Sequence, residues 1–311
     1  LTTVSLHKNR RLPQKISFMQ EAYKKAQVLI EALPYFQEFD EKIVVVKLGG
    51  NAMNESSLFD DTLQDIVFME QIGIRPVLVH GGGPYISKKL KEHDVPTKFI
   101  EGLRVTDQLT LNVVDEVFTE INQSICKTIN DKGGKAAFIH GAKDDIFEAE
   151  KKTLPEKPDI DLGFVGKLSK VNVKKILDLT NEGIVPVVSP LALGVDGQAY
   201  NVNADTAAAQ LAESLKAEKL VFMSNISGIL RNPSDPESLL TSLTPEQVKD
   251  LIETGVIAGG MLPKVEASLH ALEIGVKKVH IIDGRKHHSL LLEIFTPHGV
   301  GTQFFVGDSS T

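Results

Sequence analysis

The sequence predicts an α/β fold built from parallel strands, and three observations carry that reading. Residues 43–46 (Ile-Val-Val-Val) form a β-branched run without alternation, as expected of a strand buried on both faces. A second apolar run, at 76–80, stops as the first does, on consecutive glycines: Gly49-Gly50 after one, Gly81-Gly82-Gly83 after the other. Helix-period segments follow both turns, so the chain repeats strand, glycine turn and helix, the unit of parallel α/β proteins.

Taken in order, residues 1–14 are polar and basic (Lys8, Arg10, Arg11) and read as a mobile arm. Ile16, Met19, Tyr23, Ala26, Ile30 and Leu33 then recur at alternating steps of three and four, the seam of an amphipathic helix. Pro34 is expected to kink or end it. After the first strand, Leu63, Ile66, Val67 and Met69 mark a helix closed by Gly73, and 85–93 marks another with a lysine-rich outer face. Residues 102–107 are expected as a loop, with Asp107 capping a long helix that runs towards Asn130 and ends at Gly133-Gly134. A strand is expected at 135–140, and the charged stretch 143–170 is expected to form β-hairpins on the rim.

A helix at 173–181, a strand at 184–188, a turn at 195–198 and an alanine-rich helix at 206–215 follow. The second half opens with a strand at 220–223 and a loop at 232–236. Thr244-Pro245-Glu246-Gln247 is a helix start: a threonine cap, proline first and glutamine third. Gly259-Gly260-Met261-Leu262-Pro263-Lys264 leads into a helix ending at Gly275, and 279–282, 289–295 and 302–306 read as strand, helix and closing strand.

With 34 basic against 41 acidic residues, the net charge is −7, which argues against nucleic acid or a membrane surface as the main partner. Cys126 is the single cysteine, so intrachain disulfides are excluded and a reducing, cytoplasmic setting is expected. There is no apolar run long enough to span a bilayer, and the first residues lack a signal-peptide core.

Glycine turns after strands most often serve phosphates. Yet the chain has no G-x-x-x-x-G-K-[ST], no G-x-G-x-x-G after a strand, no G-x-S-x-G and no zinc-ligand spacing. Two lysines beside glycine turns remain, Lys47 and Lys264, with a loop arginine, Arg104, and the segment Asn201-Val202-Asn203-Ala204-Asp205. Lys47 would be a fixed charge at the carboxyl end of a central strand, where α/β proteins bind ligands; the plain alternative is a lysine snorkelling to water. Lysines and backbone donors without a general base suit phosphoryl transfer to a carboxylate. That nucleophile, with a pKa near ~4.3, is already ionised and needs no base, only relief from repulsion.

Lys47-Leu48-Gly49-Gly50, His80-Gly81-Gly82-Gly83-Pro84, Gly102-Leu103-Arg104-Val105-Thr106, Asn201 to Asp205 and the Gly259 to Lys264 segment together resemble the ordered motif set of the N-acetyl-L-glutamate kinases, in the amino acid kinase family. The resemblance implies a three-layer α/β/α sandwich with a mainly parallel central sheet, plus an N-terminal helix. It implies three parts: 1–39, arm and interlacing helix; 40–216, acetylglutamate binding and dimerisation; 217–311, nucleotide binding and arginine sensing. Lys47 and Lys264 would stabilise the transferring phosphoryl group, with Asp205 orienting both. Gly82 and Gly83 would offer N–H groups, and Arg104 and Asn201 would hold the acetylglutamate. The nucleotide, ATP with its substrate-bound Mg2+, would meet Gly49, Gly50, Asn225, Ser227, Gly228, Ile229, Leu230, Val256 and Ala258. Relatives usually read Leu-Thr-Asp before the Ser-Gly pair, where this chain has Met223-Ser224-Asn225. Lys167 also stands where relatives often carry an acidic residue.

The C-terminal stretch is similar to the arginine-sensing part of feedback-inhibited members, with Tyr23, His288, Gly299 and Gly301 as effector residues; His287 reads instead as a solvated helix cap. Such members are homo-oligomers: dimers, or hexamers built as trimers of dimers. Two rival readings stand beside this one. The first is a kinase of the same fold acting on aspartate, glutamate, carbamate or UMP, against which the Gly-Leu-Arg and Asn-Val-Asn-Ala-Asp pair counts. The second is a non-catalytic ligand sensor, which the retained Lys47, Asp205 and Lys264 oppose.

Overall fold

A computed structural model describes residues 12–50, 56–296 and 299–307. The described part of its N-terminal unit, up to Asp40, is one helix, α1 (Leu12–Phe39). The helix runs through Pro34 instead of stopping there. A proline removes one backbone donor, and here a full turn of helix follows it, so the interruption stays local. Met19, Tyr23, Val28, Leu29, Ile30 and Leu33 are all exposed on it.

The second unit starts at Glu41 and holds the rest of the chain. In order come β1 (Ile43–Leu48), α2 (Ser56–Gln71), β2 (Arg75–His80), α3 (Gly83–Glu92), β3 (Phe99–Ile100), β4 (Leu103–Arg104), α4 (Gln108–Asp131) and β5 (Ala136–His140). Then follow β6 (Phe147–Lys151), β7 (Gly166–Val171), α5 (Lys174–Asn181), β8 (Val185–Ser189), β9 (Leu191–Gly194), β10 (Ala199–Asn201) and α6 (Ala204–Ser214). The remainder is β11 (Lys219–Ser224), β12 (Ile229–Leu230), β13 (Leu239–Leu240), β14 (Ser242–Leu243), α7 (Pro245–Glu253), α8 (Leu262–Glu273), β15 (Lys278–Asp283), α9 (Ser289–Ile294) and β16 (Thr302–Phe305).

Eight strands form the main sheet in the order β14-β16-β15-β11-β1-β2-β8-β5. Every neighbouring pair is parallel except β15–β16. Both faces are covered. Val45, Val77, Val79, Leu220, Phe222, Val279 and Ile281 share one core with α5, α6, α7 and α8. The alternate residues face α2, α4 and α9, so Val44 and Val46 are as buried as Val45. The unalternating run at 43–46 is explained by this double burial.

The strand order fixes where a ligand fits. From β1 the chain moves one way to β2, and the second half builds the other way from β11. The carboxyl ends of β1 and β11 therefore flank a topological switch point, the place where open α/β sheets leave a crevice. The expected rim hairpins are one antiparallel pair, β6–β7, inside a second sheet ordered β10-β9-β6-β7. Lys167 is an exposed residue of that pair, in register with Glu150. The segment expected as a loop at 102–107 begins as a hairpin, β3–β4, turned by the positive φ of Glu101 and Gly102. Asp107 caps α4 by accepting from the Thr110 N–H at 2.7 Å, and Thr244 and Gln247 close a reciprocal capping box on α7.

Candidate active site

Lys47 is the penultimate residue of β1, paired across to Phe222 of β11 and Val79 of β2. The glycine turns that end these strands are tied to one another. Gly49 N–H donates to Met223 O at 3.2 Å and Gly81 N–H to Leu48 O at 3.0 Å. Gly50 must lack a side chain, because a Cβ there would lie 2.5 Å from Cδ of Pro84. The turns thus form one floor. Gly82 caps α3 and Gly83 opens it, so the amide-rich end of that helix borders the same cleft.

The cleft, about 260 Å³, is lined by Lys47, Gly50, 81–84, Arg104, Asn201 and Asp205 among others. Asp205 lies in the first turn of α6, and its Oδ1 is 2.7 Å from Lys47 Nζ. Asn203 sets that turn: its side chain accepts from the N–H groups of Asp205 and Thr206, at 2.9 and 3.0 Å. Lys264 stands in the first turn of α8, half-buried, without an ion pair among the described residues. Burial lowers its pKa first and the charge of Lys47 lowers it further, while Asp205 acts the other way. The three groups therefore share one electrostatic neighbourhood.

Arg104 ends the β3–β4 hairpin directly across from Phe99, and its Cζ lies 4.7 Å from the centre of that ring. Its Nη2 donates to Gly83 O at 3.0 Å and to Ser87 Oγ at 2.9 Å. Only 7% of the residue is exposed, burial lowers its pKa, and no carboxylate pairs with it among the described residues. Nη1 is buried without a partner. A guanidinium held this way is unfinished without an anion. The sequence reading gives Phe99 and Ser87 no place in the site, and holds Asn203 and Thr106 only as members of their motifs, without a role. For Phe99 the sequence carries no signal, because the positive-φ turn that sets it opposite Arg104 is a feature of the folded backbone.

The expected nucleotide residues divide. Gly49 lies at the carboxyl end of β1, its N–H spent on Met223, and Gly50 borders the cleft with Arg104. Asn225 is exposed where β11 ends. Ser227 Oγ lies 3.3 Å from Asp283 Oδ2, at the end of β15. Gly228 takes φ 118°, and the Ile229 N–H donates to Thr302 Oγ1 at 2.8 Å, so the turn is pinned to the start of β16. Leu230 lies in β12, while Val256 is half-buried and Ala258 exposed after α7. Of these residues, Asn225 follows β11 directly and Ser227 meets the last residue of β15. Among the described residues no group of three or more His, Cys, Asp or Glu side chains could hold a metal ion.

The expected effector residues fall in both units of the chain. Tyr23 is exposed on α1. His288 is left-handed (φ 52°) and its Nδ1 lies 2.6 Å from Oδ1 of Asp65, a buried carboxyl that burial pushes up to about 6 against the pull of His288. His287, expected as a solvated residue, is exposed and also pairs with Asp61, on the same helix as Asp65. Gly299 and Gly301 wrap the buried Glu293, whose Oε2 accepts from the Val300 and Gly301 N–H groups at 2.7 and 2.9 Å.

The described residues contain no helix long and apolar enough to cross a membrane. A family model described as the amino acid kinase family matches residues 42–283. The acetylglutamate kinase of Thermoanaerobacter pseudethanolicus is 48% identical over 279 residues, 89% of this chain and 92% of that protein. That of Methanosphaera stadtmanae is 44% identical over 291 residues, 91% and 98% of the two chains. Among solved structures, N-acetylglutamate synthase from Neisseria gonorrhoeae, complexed with coenzyme A and N-acetyl-glutamate, superposes with a TM-score of 0.81 at 25% identity, over 91% of this chain and 63% of that one. Carbamate kinase from Giardia lamblia bound to AMP-PNP shares the fold, with a TM-score of 0.60 at 16% identity, over 86% and 99%. Sequence, fold and cleft agree: the chain belongs to the amino acid kinase family, among its acetylglutamate kinases.

Proposed function

We propose that this kinase transfers the γ-phosphoryl group of ATP to the γ-carboxylate of N-acetyl-L-glutamate, giving N-acetyl-L-glutamyl 5-phosphate and ADP in the cytoplasm, as a step of arginine biosynthesis. The observation that carries the substrate reading is Arg104, a buried guanidinium with a free Nη1 and no carboxylate, facing a cleft that also holds Lys47. Arg104 takes the α-carboxylate in the two-pronged way guanidinium favours, and Asn201 takes the amide. The γ-carboxylate oxygen then attacks phosphorus while the bond to the β,γ-bridging oxygen breaks and ADP departs. No proton has to move. Lys47 and Lys264, with N–H groups of Gly82 and Gly83, offset the charge gathering on the phosphoryl oxygens. Asp205 keeps the two lysines from repelling each other out of place. Mg2+ arrives as part of the nucleotide substrate.

The division of labour we assign is acetylglutamate on 40–216 and nucleotide on 217–311, at the 225–230 turn with Val256 and Ala258. Arginine, the end product, is assigned as feedback inhibitor, with His288 and the turn holding Gly299 and Gly301 as its seat and Tyr23 as a further effector contact. The exposed apolar residues of α1 suit a helix that packs against copies of itself, in a dimer or a hexamer. An ADP-release assay offering acetylglutamate, glutamate, aspartate and UMP in turn tests the acceptor directly.

A further inference from the structure

Thr106 stands between the two residues assigned above to the acetylglutamate, and it is fully buried. Its Oγ1 lies 2.8 Å from the Arg104 carbonyl oxygen and 3.3 Å from Nδ2 of Asn201. A carbonyl oxygen only accepts, so the hydroxyl hydrogen is committed to Arg104. The lone pairs left on Oγ1 can face only a donor. The amide of Asn201 is therefore turned with its NH2 towards Thr106 and its Oδ1 the other way. That Oδ1 has no partner among the described residues, and Asn201 lines the cleft.

The backbone leaves Thr106 no room to drift. Its N–H donates to Leu162 O at 3.0 Å, and its carbonyl accepts from Phe164 N–H at 2.6 Å. A Cβ on Gly163 would come within 2.2 Å of that same carbonyl, so the two segments touch backbone to backbone. Asn201 joins them, its N–H donating to Phe164 O at 2.9 Å. Three stretches distant in sequence are thus locked around one hydroxyl.

We propose that Thr106 is a positioning residue: it fixes the Asn201 amide so that Oδ1 accepts from the N–H of the substrate's secondary amide, which makes the site reject acceptors that lack this N–H. The proposal rests on the acetylglutamate reading above and adds to it the reason for the amide's orientation. A buried or half-buried acceptor facing an ester oxygen instead of an N–H loses its bond and gains a repulsion, so the penalty is large.

The test is steady-state kinetics with N-acetyl-L-glutamate and with 2-acetoxyglutarate, the isostere whose N–H is an oxygen. The intact protein should favour the amide by on the order of 10²-fold in kcat/KM. Thr106→Val frees the Asn201 amide to flip, so KM for acetylglutamate should rise about tenfold and the amide preference should shrink by a similar factor, with KM for ATP within about twofold. Thr106→Ser keeps the hydroxyl and should return both values to near those of the parent. Equal use of amide and ester by the intact protein overturns the proposal, whether or not Thr106→Val folds. So does a Thr106→Val variant that keeps the parent's KM and preference, or a Thr106→Ser variant that behaves like Val. If the intact protein phosphorylates neither compound but another acceptor, the acetylglutamate reading itself has failed, an outcome separable from the others.

Discussion

Lys47 Nζ and Asp205 Oδ1 lie 2.7 Å apart, one from the end of the central strand β1, the other from the first turn of α6. The pair joins the sheet to the helix that packs on it. The N-terminal end of α6 favours the carboxylate, and the carboxylate in turn holds the lysine over the glycine turns. Lys264 enters the same field from α8.

If both lysines act on developing charge, Lys47→Ala and Lys264→Ala should each lower kcat by on the order of 10²–10³, with little change in either KM. Lys47→Arg should not rescue, because a broad planar cation cannot occupy the point an ammonium does. Asp205→Asn removes the negative charge that raises the Lys264 pKa, so Lys264 should lose its proton at lower pH and the alkaline limb of the rate profile should move down. An unmoved limb would separate Asp205 from Lys264.

Arg104→Lys keeps a charge and loses the fork and the stacking on Phe99. KM for acetylglutamate should rise by about tenfold or more while KM for ATP stays within a few-fold. Equal rises in both constants would place Arg104 outside the acceptor site.

His80, fully buried against Phe118, has its pKa pushed down to about 4 by burial. The neutral ring is the folded form, and the unfolded chain, near 6.5, binds the extra proton. This contribution to stability is therefore complete above about 6.5 and is lost as pH falls through about 4, a change on the order of 3 kcal/mol. Urea midpoints measured across that window should fall on acidification, and His80→Leu should flatten this part of the curve. A variant with the parent's slope would rule His80 out as its source.

Deleting residues 1–33 should leave kinase activity in a smaller assembly that responds weakly to arginine, if α1 joins copies and contributes to the effector response. Sedimentation and an arginine titration measure both. Coupling of this kind is worth ~1–3 kcal/mol, a shift in apparent affinity and not an on–off switch. A truncated protein that keeps the full chain's assembly size, or its arginine response, would refute this role.

Most of the sheet was legible because its inner strands are apolar runs buried on both faces, and β1 and β2 also end on glycines, signals that local sequence carries alone. The cap at Asp107 and the box at Thr244 were legible for the same reason: the chemistry spans three residues. What was hidden depends on partners far along the chain. The two-residue strands around Glu101-Gly102 carry no period, so the stacking of Phe99 on Arg104 could not be seen. Pro34 was expected to kink or end its helix, and the helix does not end there, since a single missing donor is weaker than the turns on either side. His288 was expected as an effector contact, and its carboxylate partner Asp65 lies 223 residues away on α2.

The most direct test of the central claim is ADP release from purified protein supplied with ATP and Mg2+, with hydroxylamine present to trap an acyl phosphate as its hydroxamate. N-acetyl-L-glutamate should give ADP and hydroxamate in equal amounts, with glutamate, aspartate and UMP giving little of either. ADP release driven by UMP or by free glutamate in preference to acetylglutamate, or ADP without hydroxamate, would contradict the assignment of the acetylglutamate γ-carboxylate as the phosphoryl acceptor.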